Sequence, residues 1–233
     1  MKKGFTLAEV LITLAVIGVV AALTIPTVVH KYQQKQMYTQ FLKAYNTLST
    51  SLFLAIADHG APENWTCVDS NEGMQNYIDT YIKPYIKVVS TAPLESVYKG
   101  GVQVKGLDGR DFASLTSLFQ GGTPDFLLLG DGTVIMPHEI NCHNNDEVDI
   151  ETFVDTNGAK GPNVLGRDMF VMRYGLNFNT GKPGIFSGFD PSNSEEGAAV
   201  CCKTEGVCIN PEENIPQGLT CVERLLADGD MKY

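Results

Sequence analysis

One carboxylate, Glu9, stands alone in the apolar segment that follows the first four residues. From Phe5 to Ile25 the sequence contains no Lys, Arg, Asp, His, Asn or Gln. Because an ionisable side chain inside a membrane is costly unless it is paired, such a residue is usually functional. The chemistry that Glu9 offers is an ion pair with a cationic group. The spacing Thr6-x-x-Glu9 also predicts a capping box that satisfies free amides at a helix start, and the two roles are compatible.

The residues around this acid resemble a known signal. The string GFTLAEVLI at positions 4–12, followed by an apolar run and Pro26, is similar to the N-terminal signal of type IV pilins and type II secretion pseudopilins. In that family a membrane-embedded peptidase cuts after the glycine and methylates the new amino group. The resemblance implies cleavage between Gly4 and Phe5 and an N-methylated Phe5. It also implies that Glu9 pairs with the amine of a neighbouring subunit during assembly.

An ordinary secretory signal is the competing interpretation of the same segment. It combines a basic start, an apolar region and a small-x-small cleavage site, which Val20-Ala21-Ala22 would supply. An acid inside the apolar region opposes this interpretation, and the apolar run continues past Ala22 without a polar break. We therefore favour the prepilin-like signal.

Histidine, glutamate and cysteine cluster in the string HEINCH at positions 138–143. The zinc-protease motif has two histidines four residues apart on a helix, whereas His138 and His143 are five apart and follow Pro137 at the predicted end of a strand. A loop that gathers His138, Cys142 and His143 on a metal is the alternative, but the sequence has no C-x-x-C pair. We predict no metal here. We also predict no enzyme, since the chain lacks a phosphate-binding glycine loop and a nucleophile elbow.

A loop at positions 155–168, DTNGAKGPNVLGRD, carries many side-chain oxygens. Its opening, Asp-x-Asn-Gly, also begins calcium-binding loops, but those usually place a glutamate at position twelve, where this loop has Gly166. We therefore predict a structural Asx-type turn. Calcium held by Asp155, Asn157 and Asp168 remains the alternative. The loop also resembles a turn in the head domains of prepilin-type secretion proteins, some of which hold calcium.

Six cysteines follow the apolar segment: Cys67, Cys142, Cys201, Cys202, Cys208 and Cys221. An even number of cysteines outside the cytoplasm indicates a disulfide framework, here with up to three bridges. Fifteen connectivities are open, and the sequence does not choose among them. Four of the six lie after position 200, which predicts a C-terminal segment held by disulfides.

The segment that carries Glu9 is long enough to cross a membrane. About 20 apolar residues in a helix span the roughly 30 Å hydrocarbon core of a bilayer. We therefore assign residues 1–4 to a leader peptide and residues 5–25 to a transmembrane and assembly helix. Lys2 and Lys3 precede the span, and basic flanks tend to remain cytoplasmic, which predicts that the rest of the chain lies outside.

Residues 26–59 predict an amphipathic continuation of the same helix, in a rod roughly 80 Å long at 1.5 Å per residue. Pro26 is expected to kink or locally open it. The run His59-Gly60-Ala61-Pro62 predicts its end. The residues at helical spacing on one apolar stripe, expected to dock a globular head, are Tyr38, Phe41, Leu42, Tyr45, Leu48, Leu52 and Ile56.

Residues 60–233 are long enough for one head domain. Apolar residues at helical spacing predict a short helix at Gly73–Lys83, stopped by Pro84. Strands are predicted at Val102–Lys105, Asp125–Leu129, Thr133–Pro137, Val148–Asp155 and Asp168–Tyr174, with a closing helix at Leu219–Ala227. The fold class is α+β: a long N-terminal helix packed on an antiparallel, pilin-like sheet, with a disulfide-stapled C-terminal segment.

The net charge is acidic. It is −10 for the whole chain, and it becomes −12 without Lys2 and Lys3, because 15 basic residues then face 27 acidic ones. Phosphate backbones require a basic surface, so the charge argues against nucleic-acid binding by the head. The nearest thing to a basic patch, which we interpret as a solvated face, is Lys83, Lys87, Lys99, Lys105 and Arg110.

The resemblance implies a prepilin-like structural subunit, cut by a prepilin peptidase and assembled in the pseudopilus of a type II secretion system. A type IV pilus or DNA-uptake pilin is the alternative, and a membrane-anchored or secreted domain that never polymerises is a more distant one. The expected partners are the peptidase, copies of itself or other pilins, an inner-membrane assembly platform and the bilayer. We expect a single-pass protein of a bacterial inner membrane, with no cofactor unless calcium binds.

Overall fold

The computed structural model of the protein describes residues 4, 6–119, 123–143, 147–177, 180–187, 202 and 217–231. The chain forms two units, residues 1–36 and residues 37–233. Both hydrophobic cores and the β-sheets belong to the larger unit.

Helix α1 runs from Leu7 to His59. Helical structure continues on both sides of Pro26, so the local opening expected at this proline is absent. Proline lacks only its own N–H, so the helical hydrogen bonds of the neighbouring residues can still form. The expected kink of the helix at Pro26 stays a prediction. The helix ends as predicted, because Gly60 adopts a left-handed φ of 81° and its N–H donates to the Ile56 carbonyl at 2.9 Å.

The second half of α1 buries the predicted apolar stripe. Its buried residues are Phe41, Ala44, Leu48, Ser51, Leu52 and Ala55, and the partly buried residues beside them include Tyr38, Leu42, Tyr45 and Ile56. Phe41 contacts the ring of Phe170 with centroids 4.7 Å apart. The stripe therefore packs the helix against the sheet, as the sequence predicted.

The main sheet has six antiparallel strands. They are β1 Val88–Ala92, β4 Phe126–Leu129, β5 Val134–His143, β6 Glu147–Asp155, β7 Met169–Asn177 and β8 Lys182–Ser187. Each pairs with the next in the order β1-β4-β5-β6-β7-β8. Strands β4 to β8 follow one another along the chain as an antiparallel meander, which confirms the predicted antiparallel sheet. A second sheet pairs β2 (Gln103–Lys105) with β3 (Asp111–Ser114).

The six-stranded sheet is covered on both faces, so two cores form. Alternate residues of its strands enter one core with α1, for example Ile135, Val154 and Phe170. Their neighbours, such as Val134 and Phe153, enter the other core with β2 and the short helices α3 (Leu94–Val97) and α4 (Leu115–Leu118). The alternation is the expected two-residue period of a pleated strand.

The remaining helical segments lie close to their predicted positions. Helix α2 covers Asn71–Tyr77, and its cap Ser70 accepts a hydrogen bond from the Gly73 N–H. A π-helical turn at Ile78–Ile82 and a 3₁₀ turn at Lys83–Tyr85 follow, so helical structure continues past Pro84 instead of stopping there. A further 3₁₀ turn covers Pro62–Asn64, and the closing helix α5 is Cys221–Asp228.

Two features of the sheet differ from the prediction. Strand β5 does not end at Pro137 but continues to His143. Strand β5 pairs with β4 only at Val134 and Ile135, so at Pro137 the side of β5 toward β4 has no strand to accept a hydrogen bond. A bulge follows Pro137 directly, and proline is tolerated at such edge and bulge positions. The outer strands β1 and β8 were also missed, since their residues show no regular apolar alternation.

Candidate functional site

The N-terminal turn of α1 contains the predicted capping box. The Thr6 N–H and the Thr6 hydroxyl both donate to Glu9 Oε2, each at 2.8 Å. In return the Glu9 N–H donates to Thr6 Oγ1 at 3.3 Å. Within the part of the chain that the structure describes, the second oxygen, Glu9 Oε1, has no hydrogen-bond partner. The cap thus uses one oxygen of the carboxylate and leaves the other available.

The helix around Glu9 presents apolar side chains that nothing in its own unit covers. Large residues at least 42 % exposed are Leu7, Val10, Leu11, Ile12, Leu14, Val16, Ile17, Val19, Val20, Leu23, Ile25, Val28 and Val29. By length and composition α1 is able to cross a membrane. An exposed apolar surface of this size indicates contact with a bilayer or with neighbouring helices.

The predicted cleavage site lies at the edge of the described residues. Gly4 is exposed, and a side chain added there would meet no atom within 4 Å. Phe5, the expected new N-terminus, lies outside the described residues. Cleavage between Gly4 and Phe5 and methylation of Phe5 therefore stay predictions.

Among the described residues, two disulfide bonds hold the larger unit. Cys67, which follows the first 3₁₀ turn, bonds to Cys142 on β5, and Cys202 bonds to Cys221 at the start of α5. The second bond confirms the stapled C-terminal segment. Two further cysteines, Cys201 and Cys208, lie outside the described residues. A metal site built on Cys142 is wrong, since the sulfur of this residue is committed to the disulfide.

The polar loop between β6 and β7 closes on the buried carboxylate of Asp168. Its Oδ1 accepts from the Val164 N–H at 2.7 Å. Its Oδ2 accepts from the Asn163 N–H at 2.8 Å and from Asn157 Nδ2 at 3.2 Å. The far end of the loop is therefore wrapped around one side chain.

Asp155 closes the near end of the same loop. Its Oδ1 accepts from the Asn157 N–H at 3.0 Å, which confirms the predicted Asx turn. Its Oδ2 accepts from the Tyr98 hydroxyl at 2.7 Å. Asp155, Asn157 and Asp168, the predicted calcium ligands, do converge, but all four carboxylate oxygens already accept hydrogen bonds. Calcium binding there stays a prediction. The clasp that Asp155 and Asp168 form in this loop is not fully satisfied, because the buried Oδ1 atoms of Asn157 and Asn163 have no hydrogen-bond partner among the described residues.

Burial changes the acidity of this clasp. It raises the pKa of Asp155 to about 7, although hydrogen bonds from Tyr98 and Asn157 act in the opposite direction. Burial also raises the pKa of Asp168. The negative charge of each carboxylate disfavours ionisation of the other, so the clasp carries a proton more readily than two separate acids would.

His138 lies on β5, close to two glutamates. Its Nδ1 is 3.2 Å from Oε1 of Glu151 on β6, and Glu139 is the residue paired with Glu151. Burial lowers the pKa of His138, but the hydrogen bond to Glu151 and the charges of both glutamates outweigh burial and raise it. The sequence named the histidine but missed Glu151, which is close only because of the strand register.

Two family models match different parts of the chain. Residues 1–25 match the prokaryotic N-terminal methylation motif. The protein is therefore a prepilin-like protein of the type IV pilin and pseudopilin class, anchored by a single span. The motif implies processing by a prepilin peptidase and assembly with other pilins. The chain belongs to DUF6613, a family of unknown function, whose profile matches residues 27–183. No curated protein and no solved structure matches the chain significantly.

Proposed function

We propose that this protein is a structural subunit of the pseudopilus of a type II secretion system and that it catalyses no reaction. The observation that carries the proposal is Glu9 on an uncovered apolar helix, held by Thr6 through one oxygen only. A lone carboxylate in an apolar environment is stabilised by a cation that reaches the other oxygen.

The cation with the right chemistry is the terminal amine of Phe5 on a neighbouring subunit after cleavage. Pairing an acid near one helix start with an amine at another sets the stagger between adjacent helices. Small residues then allow close approach, and Gly18-x-x-x-Ala22 has the spacing of a helix-packing motif. The ion pair sets the register between subunits, and the exposed apolar side chains between Leu7 and Val29 provide the contact area.

The proposed orientation places the head outside the cytoplasm. Lys2 and Lys3 precede the span, and basic flanks tend to stay on the cytoplasmic side. The disulfides Cys67–Cys142 and Cys202–Cys221 support this orientation, because such bonds persist in oxidising compartments outside the cytoplasm. The inner membrane of a bacterium is the proposed location before assembly.

Two substitutions separate the ion pair from the cap. Glu9→Gln removes the charge while its amide oxygen still accepts from Thr6, and Thr6→Val removes the hydroxyl while Glu9 keeps its charge. We expect Glu9→Gln to lose filament assembly and Thr6→Val to retain most of it, measured by cross-linking of subunits in membranes. Mass spectrometry of the mature terminus, which should be N-methyl-Phe5, controls for processing.

The assembly role is wrong if Glu9→Gln is processed and cross-links like the unaltered protein. A start near Leu23 would instead indicate ordinary secretion. Deletion of the gene separates the two filament systems: loss of protein secretion with fibres intact supports the pseudopilus, and loss of surface fibres with secretion intact supports a pilus.

A further inference from the structure

A bulge in β5 brings one histidine and two glutamates together. The pairing of β5 with β6 runs up to Pro137–Thr152 and resumes at Glu139–Glu151, so His138 is an extra residue on β5. Two consecutive side chains, His138 and Glu139, therefore meet the single residue Glu151. Bulges commonly redirect a side chain in this way.

The three side chains are close enough to share one ion. Their ligand atoms, an imidazole nitrogen and one oxygen from each of Glu139 and Glu151, all lie within 4.8 Å of one another. Ligand atoms about 2 Å from a tetrahedral zinc ion are about 3.3 Å apart. His138 Nδ1 and Glu151 Oε1, at 3.2 Å, already have that separation.

The histidine is held in place on its other sides. The rings of Phe119 and Phe153 contact the imidazole edge to face, with centroids 5.4 and 5.3 Å away. These two rings restrict rotation of the imidazole, which keeps Nδ1 directed at Glu151.

Glu151 is held by a neighbouring arginine, and Glu139 remains accessible to solvent. Arg173 Nη2 on β7 is 3.7 Å from Glu151 Oε2, the oxygen that does not contact His138. Asp149, also beside Arg173 at 3.8 Å, adds a third negative charge. The side chains of His138 and Glu151 are 25 % and 15 % exposed, and Glu139 is exposed. The cluster is thus negative, partly ordered and open to solvent on the Glu139 side.

We propose that His138, Glu139 and Glu151 bind one zinc ion, through Nδ1 of the histidine and one oxygen of each glutamate. Water completes the coordination on the exposed side. One imidazole and two carboxylates form a mixed nitrogen and oxygen set that suits zinc, whereas calcium and magnesium prefer oxygen alone. The ion links β5 to β6 at the bulge, where a ladder pair is interrupted.

The test uses the full chain in detergent, freed of metal by a chelator and titrated with zinc chloride by calorimetry. We expect one zinc ion per chain and a melting temperature that rises with zinc. His138→Gln and Glu139→Gln should each weaken binding by about 100-fold or more, since even supporting residues cost tenfold or more. His59→Gln is the matched control, because His59 contacts the rings of Tyr81 and Tyr85 outside the cluster.

The proposal is overturned if zinc does not bind saturably, or if His138→Gln binds as tightly as the His59→Gln control. Calcium that binds as tightly as zinc and is insensitive to His138→Gln would also overturn it, since the cluster would then be a simple acidic surface. If His138→Gln does not fold, the exposed Glu139→Gln variant decides. Assembly through Glu9 is a separate property, so neither result affects it.

Discussion

The two disulfide bonds within the described part of the head are expected to differ in how much they stabilise it, because they close loops of different length. Cys67 and Cys142 are 75 residues apart, and Cys202 and Cys221 are 19 apart. The chain-entropy relation gives about 4.5 kcal/mol for the longer loop and about 3.3 kcal/mol for the shorter one at 25 °C. Replacing the first pair by alanine should therefore cost about 1 kcal/mol more than replacing the second.

Urea unfolding of the full chain in detergent measures the difference. Trp65 is the only tryptophan, is 3 % exposed and stacks on Tyr81, so its fluorescence reports unfolding of the head directly. The two loops do not overlap in sequence, so the losses should add in the quadruple variant. Mass spectrometry checks that the disulfide left in place is intact and that neither Cys201 nor Cys208 has entered it.

The result that refutes this reasoning is a reversed order. Suppose that loss of Cys202–Cys221 destabilises the head more than loss of Cys67–Cys142, while the unfolding free energy of both variants falls equally steeply with urea concentration. The entropy of loop closure then does not govern how much each bond stabilises the head. Local packing around Cys221, which is fully buried, would then account for the stability.

Three further predictions concern the head. Phe41→Ala should lower the free energy of unfolding by about 3–5 kcal/mol, because it opens a cavity in the core; Phe53→Ala, at a site 59 % exposed on the same helix, should change it by about 0.5 kcal/mol or less in urea unfolding. The pKa of Asp155 in the folded protein, about 7, is above its ordinary value of 3.8. The stability that the neutral acid provides should therefore be lost as the pH rises from 3.8 through about 7. Urea titrations should show a slope of up to about 1.4 kcal/mol per pH unit, reduced in Asp155→Asn. Gly166→Ala should destabilise by more than about 1 kcal/mol in the same assay, since φ is +82° and the new carbon lies 2.6 Å from the Cys221 sulfur.

Each of these predictions has a clear contrary outcome. Equal losses for the two phenylalanine variants would mean that the stripe on α1 does not pack as described. A full pH slope in Asp155→Asn would assign the slope to Asp168, whose pKa burial also raises above 3.8. Gly109→Ala, with φ of +79° but no atom within 4 Å, isolates backbone strain; a Gly166→Ala loss no larger than this control would exclude the clash.

Local signals explain the elements that the sequence predicted well. The box of Thr6 and Glu9 and the end of α1 at Gly60 depend on residues within a few positions of one another. The apolar stripe of α1 is visible for the same reason, since a helix repeats its faces every three to four residues. Such patterns are complete in the sequence before any tertiary contact forms.

Strands at the edges of the sheet were not visible in this way. Strand β1 is partly exposed along its length and pairs with β4 across more than 30 residues of intervening chain. Its place depends on hydrogen bonds to a distant partner, which leave no pattern in its own residues. The same holds for β8, whose pairing with β7 places it in the sheet.

The sequence alone determined the prepilin-like N-terminus, because cleavage signal, lone acid and apolar span are contiguous. It also supplied the number of cysteines and the chemistry of the polar loop. Only the tertiary structure decided which cysteines bond, how Asp155 and Asp168 share one clasp, and that a bulge brings His138 beside Glu151. The physical reason is range: helix caps and turns are set by neighbours in the chain, whereas strand register and disulfide pairing are set by the packing of the whole core.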